Sequence, residues 1–127
     1  APGSATPAQT GIYKITYSLQ LINTATAEHE AAVWLRVDGN NVTNSSTLFT
    51  LPKATSVDTY VCAYSEVVFT ITASSVVELV WATDKAATSG GTKGIYIFAD
   101  PAQTVPYARP AVPSAIGSIT FVSSTTA

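Results

Sequence analysis

The sequence predicts an all-β domain, an antiparallel sandwich or barrel of seven or eight short strands. Apolar and polar residues alternate along several stretches of the 127-residue chain, which is the two-residue period of a strand with one buried face. Clusters of Gly, Pro, Asn and Ser separate these stretches at short intervals. No stretch has the apolar spacing of a helix. The length fits a single domain with its own core.

The alternation begins at residue 12 and places one set of large side chains on the same face. This set is Tyr13, Ile15, Tyr17, Leu19 and Leu21. Residues 1–10 hold two prolines and small polar residues, a composition typical of an extended segment. We therefore predict a flexible N-terminal arm over residues 1–10 and a single domain over residues 11–127.

Further strands are predicted along the rest of the chain, at residues 31–37, 47–51, 59–72, 76–82, 94–99 and 114–122. The stretch 59–72 is predicted to hold two strands, broken near Ser65-Glu66 or merely bulged there. Asp38-Gly39-Asn40-Asn41 supplies residues that tolerate positive φ in a hairpin turn. Residues 100–113 carry four prolines and are predicted to cross the surface in an extended form, because proline cannot donate to a sheet ladder.

The chain has few charges, and they are scattered. Charged residues make up 11% of it, against about a quarter in typical soluble domains. Such a surface indicates either coverage by partners or a soluble surface rich in Ser and Thr hydroxyls. With a net charge of −2 and no run of either sign, the chain lacks the clustered cations that bind nucleic acid or a membrane surface. We expect neither partner.

Catalytic chemistry is poorly represented. The one histidine, His29, lies between two glutamates in a turn-like stretch, and we interpret it as solvated. The lone Cys62 lies in an apolar run, which favours a small buried side chain over a nucleophile. The acidic residues beside turns are isolated, and residues 89–94 lack the spacing of a phosphate-binding loop. The sequence therefore predicts a non-enzymatic protein without cofactor or metal.

Two tryptophans mark places where strands are covered. Trp81 is predicted to pack inside the sandwich. Trp34 shares a face with Arg36 and lies opposite an apolar set, so both faces of its strand are expected to be covered, one of them by a neighbouring subunit or a crossover loop. The candidate residues of an interface with other copies or with a partner protein are Trp34, Arg36, Tyr96, Tyr107 and Arg109.

Three segments resemble a known family. They read GIYKITYSLQL, AVWLRVDGN and DPAQTVPYARPAVPSAIGSITFV, and they are similar to the strands of C1q/TNF-like jelly rolls, in particular those of small tailed-phage virion proteins. The resemblance covers residues 11–122, and the Pro-rich stretch 101–113 is its most distinctive part. It implies an antiparallel jelly-roll sandwich.

The resemblance also implies a function. It points to a capsid decoration, or cement, protein that sits as a homotrimer on the outer capsid surface of a virion, binds the major capsid protein and stabilises the shell. The alternative is a tail-fibre or receptor-binding module at the virion tail, whose exposed aromatic side chains would recognise host surface glycans.

The chain departs from this family at its beginning. Members have further strands before the Gly-Ile-Tyr segment, whereas ten residues precede it here. Either those strands are missing from this chain or another chain completes the sheet edge. An open edge invites pairing with a partner strand.

Overall fold

A computed structural model describes residues 4–124 and shows two antiparallel sheets packed face to face. The predicted all-β fold is confirmed. The described residues form nine strands: β1 (Ser4–Ala5), β2 (Gly11–Asn23), β3 (His29–Val37), β4 (Asn40–Asn41), β5 (Thr47–Leu51), β6 (Thr59–Ile71), β7 (Val77–Thr83), β8 (Ile95–Ile97) and β9 (Ala115–Ser123). Within that range no helix is long and apolar enough to cross a membrane.

Strand β2 organises the second of the two sheets. Sheet 1 runs β1-β7-β3, and both β4 and β5 pair with the remaining edge of β3. In sheet 2, β6 pairs with one edge of β2, and β8 and β9 share the other. Sheet 2 is therefore three strands wide, and β6 and β9 lie at its two sides.

The core lies between the sheets and is built by alternation. The inward residues of β2 contact those of β3, so that Tyr17, Leu19 and Leu21 pack with Val33. A neighbouring cluster centres on Leu35. Burying these apolar side chains stabilises the sandwich by about 1.5–3 kcal/mol for each large residue. Every second residue of β2 from Tyr13 to Leu21 is buried, as the sequence predicts.

The stretch 59–72 forms one strand rather than two. Strand β6 pairs with β2 in continuous register from Thr59 opposite Asn23 to Ile71 opposite Gly11. The ladder has no bulge at Ser65, whose hydroxyl instead bonds that of Thr47 at 3.2 Å. This contact joins the two sheets along their β5–β6 side.

The turn at residue 38 has the predicted geometry. Asp38 and Gly39 both have positive φ, 49° and 83°, as a two-residue hairpin loop requires. The Asp38 carboxylate also accepts a bond from the Val76 N–H at 2.8 Å. The turn thereby joins the β3–β4 hairpin to the start of β7.

Part of the segment predicted as a flexible arm is packed. Ser4 and Ala5 pair with β7 as strand β1. Pro7 is buried, and its carbonyl accepts the Ser74 N–H at 2.9 Å. Residues 1–3 of the predicted arm lie outside the described residues. The N-terminal segment therefore closes one side of sheet 1.

The Pro-rich crossover between β8 and β9 folds back on itself. Bridges join Asp100 to Val112 and Gln103 to Arg109. The Arg109 guanidinium also pairs with the Asp100 carboxylate. The crossover thus reaches β9 through a hairpin-like excursion at the surface.

Candidate interaction surface

The outward side chains of β2, β6 and β9 form one continuous face, which we call the outer face of sheet 2. Register places Tyr64 and Ile116 on either side of Ser18, and Glu66 and Ser118 on either side of Thr16. The face further includes Tyr60, Cys62, Val68, Lys14, Gln20, Thr120 and Val122. It is mainly neutral because Thr and Ser fill most of its polar positions.

This face exposes large apolar side chains. Tyr64 is 58% exposed, Ile116 60% and Val68 56%. Among the described outward positions of the three strands, Lys14 and Glu66 carry the charges. A large exposed patch that is apolar and nearly uncharged is typical of a protein interaction site.

Aromatic residues bound one end of this face. Tyr60 meets Phe98 edge to face, with ring centroids 5.1 Å apart. Tyr60 and Tyr96 flank Ile22, which is buried although it points outward. Desolvation raises the pKa of Tyr96, and the nearby Asp58 carboxylate adds to this rise.

Cys62 lies on this face, and the prediction that it is buried is wrong. Its neighbours Val61 and Ala63 point inward and pack in the core, so alternation turns the Cys62 side chain to the outside. Its cross-strand neighbour is Gln20. The thiol is available to small reagents in the folded chain.

Two predicted interface residues lie on the opposite side of the molecule. Trp34 and Arg36 point outward from sheet 1 and are partly buried. Both donate to the Asn41 side-chain oxygen, Trp34 from Nε1 at 2.9 Å and Arg36 from Nε at 3.4 Å. Strand β4 therefore covers the outward side of Trp34, through the side chain of Asn41.

The other predicted interface residues lie at two further places. Tyr96 bounds the outer face of sheet 2. Tyr107 is 65% exposed in the crossover, and the Arg109 guanidinium bonds Asp100 and the carbonyls of Pro101 and Pro110. The five predicted residues are therefore not brought together, and the sequence-based selection missed the main apolar residues of sheet 2.

His29 is held in a strand, where the sequence predicts a solvated turn. It begins β3, and its Nδ1 lies 3.3 Å from an Asp84 carboxylate oxygen. The other oxygen accepts the Glu30 N–H at 3.1 Å. Within the described part of the chain, no group of three or more potential metal ligands is placed to hold a cation.

This contact predicts a pH dependence of stability. The Glu30 N–H, with a smaller effect from His29, lowers the pKa of Asp84 from its ordinary 3.8. A lowered pKa in the folded state stabilises the fold above the unfolded value, and that contribution is lost as pH falls through the folded value. Asp84→Asn should therefore be less stable than the parent chain at pH 6, and the difference should shrink below pH 3.8. Urea denaturation between pH 6 and pH 2 would measure it, and a difference independent of pH would contradict the assignment.

Comparison with known proteins adds no family assignment. No protein-family model matches the sequence. A search of curated proteins also finds no match.

Proposed function

We propose that this protein is a virion structural protein of the capsid decoration type, which assembles with copies of itself through the outer face of sheet 2. The exposed apolar character of that face is the observation that carries the self-association. The resemblance to jelly-roll virion proteins supplies the homotrimer, the outer capsid surface and the major capsid protein as partner. The protein stabilises the shell by burying surface at several contacts at once.

The size of the face supports a stable contact. Strands β2 and β6 are each 13 residues long, which corresponds to about 44 Å at 3.4 Å per residue. Three strands spaced by about 4.8 Å give a width near 14 Å. The resulting area of roughly 600 Å² approaches the ~800 Å² that each partner buries in a standard interface.

The same residues allow one further candidate function. Tyr64 and Tyr107 are exposed, and exposed aromatic rings can stack on the apolar faces of sugars. A tail-fibre or receptor-binding module at the virion tail would use them to bind host glycans. The decoration role accounts better for the exposed aliphatic residues Ile116 and Val68, which offer nothing specific to a sugar.

Cryo-electron microscopy of the parent particle distinguishes the two functions. We expect density for the sandwich on the head, seated on the capsid subunits. Adding the purified protein to particles that lack it should raise the temperature at which their shells open. Density at the tail tip, or saturable binding of the purified protein to host cells, would contradict the decoration role.

Cys62 reports on the assembly directly. Its thiol should react rapidly with a chromogenic disulfide reagent in dilute folded protein, because the side chain is exposed. It should react at least about tenfold more slowly when the protein is concentrated enough to assemble, since burial at an interface excludes the reagent. A rate that does not change with protein concentration would place Cys62 outside the interface. The reaction in urea supplies the fully accessible reference rate.

A further inference from the structure

A groove lies between the two sheets beside β9. Sheet 1 continues past this position with β7 and β1, whereas the described part of sheet 2 ends at β9. The groove has a volume of about 280 Å³. It exists because the inward positions of β9 include Ala115 and Gly117, which present little side chain.

The floor and walls of the groove are mainly apolar. Ile15, Tyr17, Leu35 and Leu79 line it between the sheets. The Tyr17 side chain is 2% exposed, and its buried hydroxyl has no hydrogen-bond partner among residues 4–124. A buried hydroxyl without a partner is unusual in a complete core. The volume lies just below the ~300–1,000 Å³ of small-molecule sites and suits a few aliphatic side chains.

Along its edge beside this groove, β9 has backbone hydrogen-bonding groups that no described strand uses. The Gln20 N–H donates to the Ser114 carbonyl at 2.9 Å, next to the ladder pair Leu19–Ala115. Hydrogen-bonded and non-bonded pairs alternate along an antiparallel ladder. The amides of Gly117 and Ile119 therefore point away from β2, and no described strand pairs with that edge of β9.

The edge carries few of the features that prevent pairing, since the register shift in its ladder with β2 is confined to its end, between Phe121 and Ser123. Residues 115–123 read AIGSITFVS, without a charge or a proline. Natural edge strands are commonly protected by charged residues, prolines or bulges. Over residues 115–120, where no described strand pairs with it, the β9 edge is thus available to another strand.

We propose that the groove binds one extended segment of a different polypeptide, which adds to β9 as a further strand of sheet 2. Its backbone pairs with the outward groups of β9. Every second side chain, small and aliphatic, enters the groove over Ile15 and Leu79. The proposal goes beyond the proposed function and does not depend on it, because it concerns one edge of the isolated chain.

A lone segment fits this position better than a second copy of the sandwich. Strand β1 lies in sheet 1, across the groove from the open position beside β9. Its residue Ala5 lines the groove together with Ala115. If a second copy paired its β9 with this edge, the β7 strand of that copy, which lies in sheet 1 across from its β9, would overlap the space that β1 fills. A single added strand would occupy only the open position beside β9 and would not overlap β1.

A synthetic peptide provides the test. The probe is a nine-residue peptide of alternating Thr and Val with Lys at both ends, blocked at its termini. Its titration into the isotopically labelled chain should show saturable binding with a Kd below about 1 mM. The amides of Gly117 and Ile119 should shift and exchange more slowly with solvent. The same peptide N-methylated at alternate residues should not bind, because it keeps the side chains but loses the donors.

Gly117→Leu is the matched variant. A Cβ at Gly117 would meet the Thr16 carbonyl oxygen at 3.8 Å, an ordinary contact, so the backbone has room for a side chain, and that side chain would point towards the groove. Peptide binding should weaken at least tenfold. Gly90→Leu adds the same side chain in a loop, where the nearest atom is the Thr88 hydroxyl at 3.7 Å, and should leave binding unchanged.

Three results would overturn the proposal. The peptide could fail to bind the parent chain at millimolar concentration. The N-methylated peptide could bind equally well, which would reduce the contact to apolar adsorption. Finally, Gly117→Leu could dissociate an oligomer in the absence of peptide, which would assign the groove to a second copy.

Discussion

Replacing Tyr64 and Ile116 together by lysine should abolish the proposed self-assembly and leave a monomer at micromolar concentration. The two side chains flank Ser18 near the middle of the outer face of sheet 2. Central interface residues cost about 2 kcal/mol or more when they are lost, and the two lysines add the cost of burying unpaired charge. We expect the dissociation constant of the oligomer to rise at least about 100-fold, measured by mass photometry or sedimentation.

The fold should tolerate these changes. Both positions are more than half exposed, so the free energy of unfolding should change by no more than about 0.5 kcal/mol for each substitution. Leu48→Lys and Val105→Lys are matched controls, at exposed positions on sheet 1 and on the crossover. They should leave the oligomer intact. If the control pair dissociates it and the Tyr64/Ile116 pair does not, sheet 2 is not the interface.

The strands were predictable where one face is buried. Alternation in β2 and the short run of β5 before Pro52 each predict the observed strand, because a two-residue period fixes which side chains enter the core. The turn at Asp38 was predictable for a local reason as well. Few residue types adopt positive φ without strain.

Two residues, Cys62 and His29, lie in other environments than their local sequence predicts. The usual burial of a free thiol does not apply to Cys62, because the inward positions of Val61 and Ala63 turn its side chain outside. For His29 the flanking glutamates suggested a solvated turn. Its partner Asp84 is distant in the sequence, and no local pattern indicates that pairing.

The candidate surfaces depend on pairing between distant strands. Tyr64 and Ile116 become near neighbours only because β6 and β9 both pair with β2. The sequence indicated an open sheet edge through the resemblance, but not which strand forms it. The open position beside β9 follows from the number of strands that residues 4–124 place in each sheet, which alternation alone does not determine.

Asn23→Asp should be among the most destabilising single changes in the chain, although it preserves shape. Asn23 is fully buried at the end of β2. Its Nδ2 donates to the carbonyls of Ala27, Leu51 and Pro52 at 3.0–3.3 Å, and its Oδ1 accepts the Ala25 N–H at 2.9 Å. An ionised Asp cannot donate, so it would face those carbonyls with a buried charge. We expect the free energy of unfolding at pH 7 to fall by about 3 kcal/mol or more.

Asn41→Asp makes the same chemical change where only the acceptor is used. The Asn41 Oδ1 receives the bonds of Trp34 and Arg36, and a carboxylate accepts them as well or better. Its effect should stay within about 0.5 kcal/mol. If the free energy of unfolding falls by the same small amount in both variants, water replaces the hydrogen bonds of the Asn23 amide. In that case this side chain does not join the end of β2 to β5. A large decrease for the Asn23 variant alone would identify donation by the Asn23 amide as a polar link between the two sheets, in addition to the Thr47–Ser65 bond.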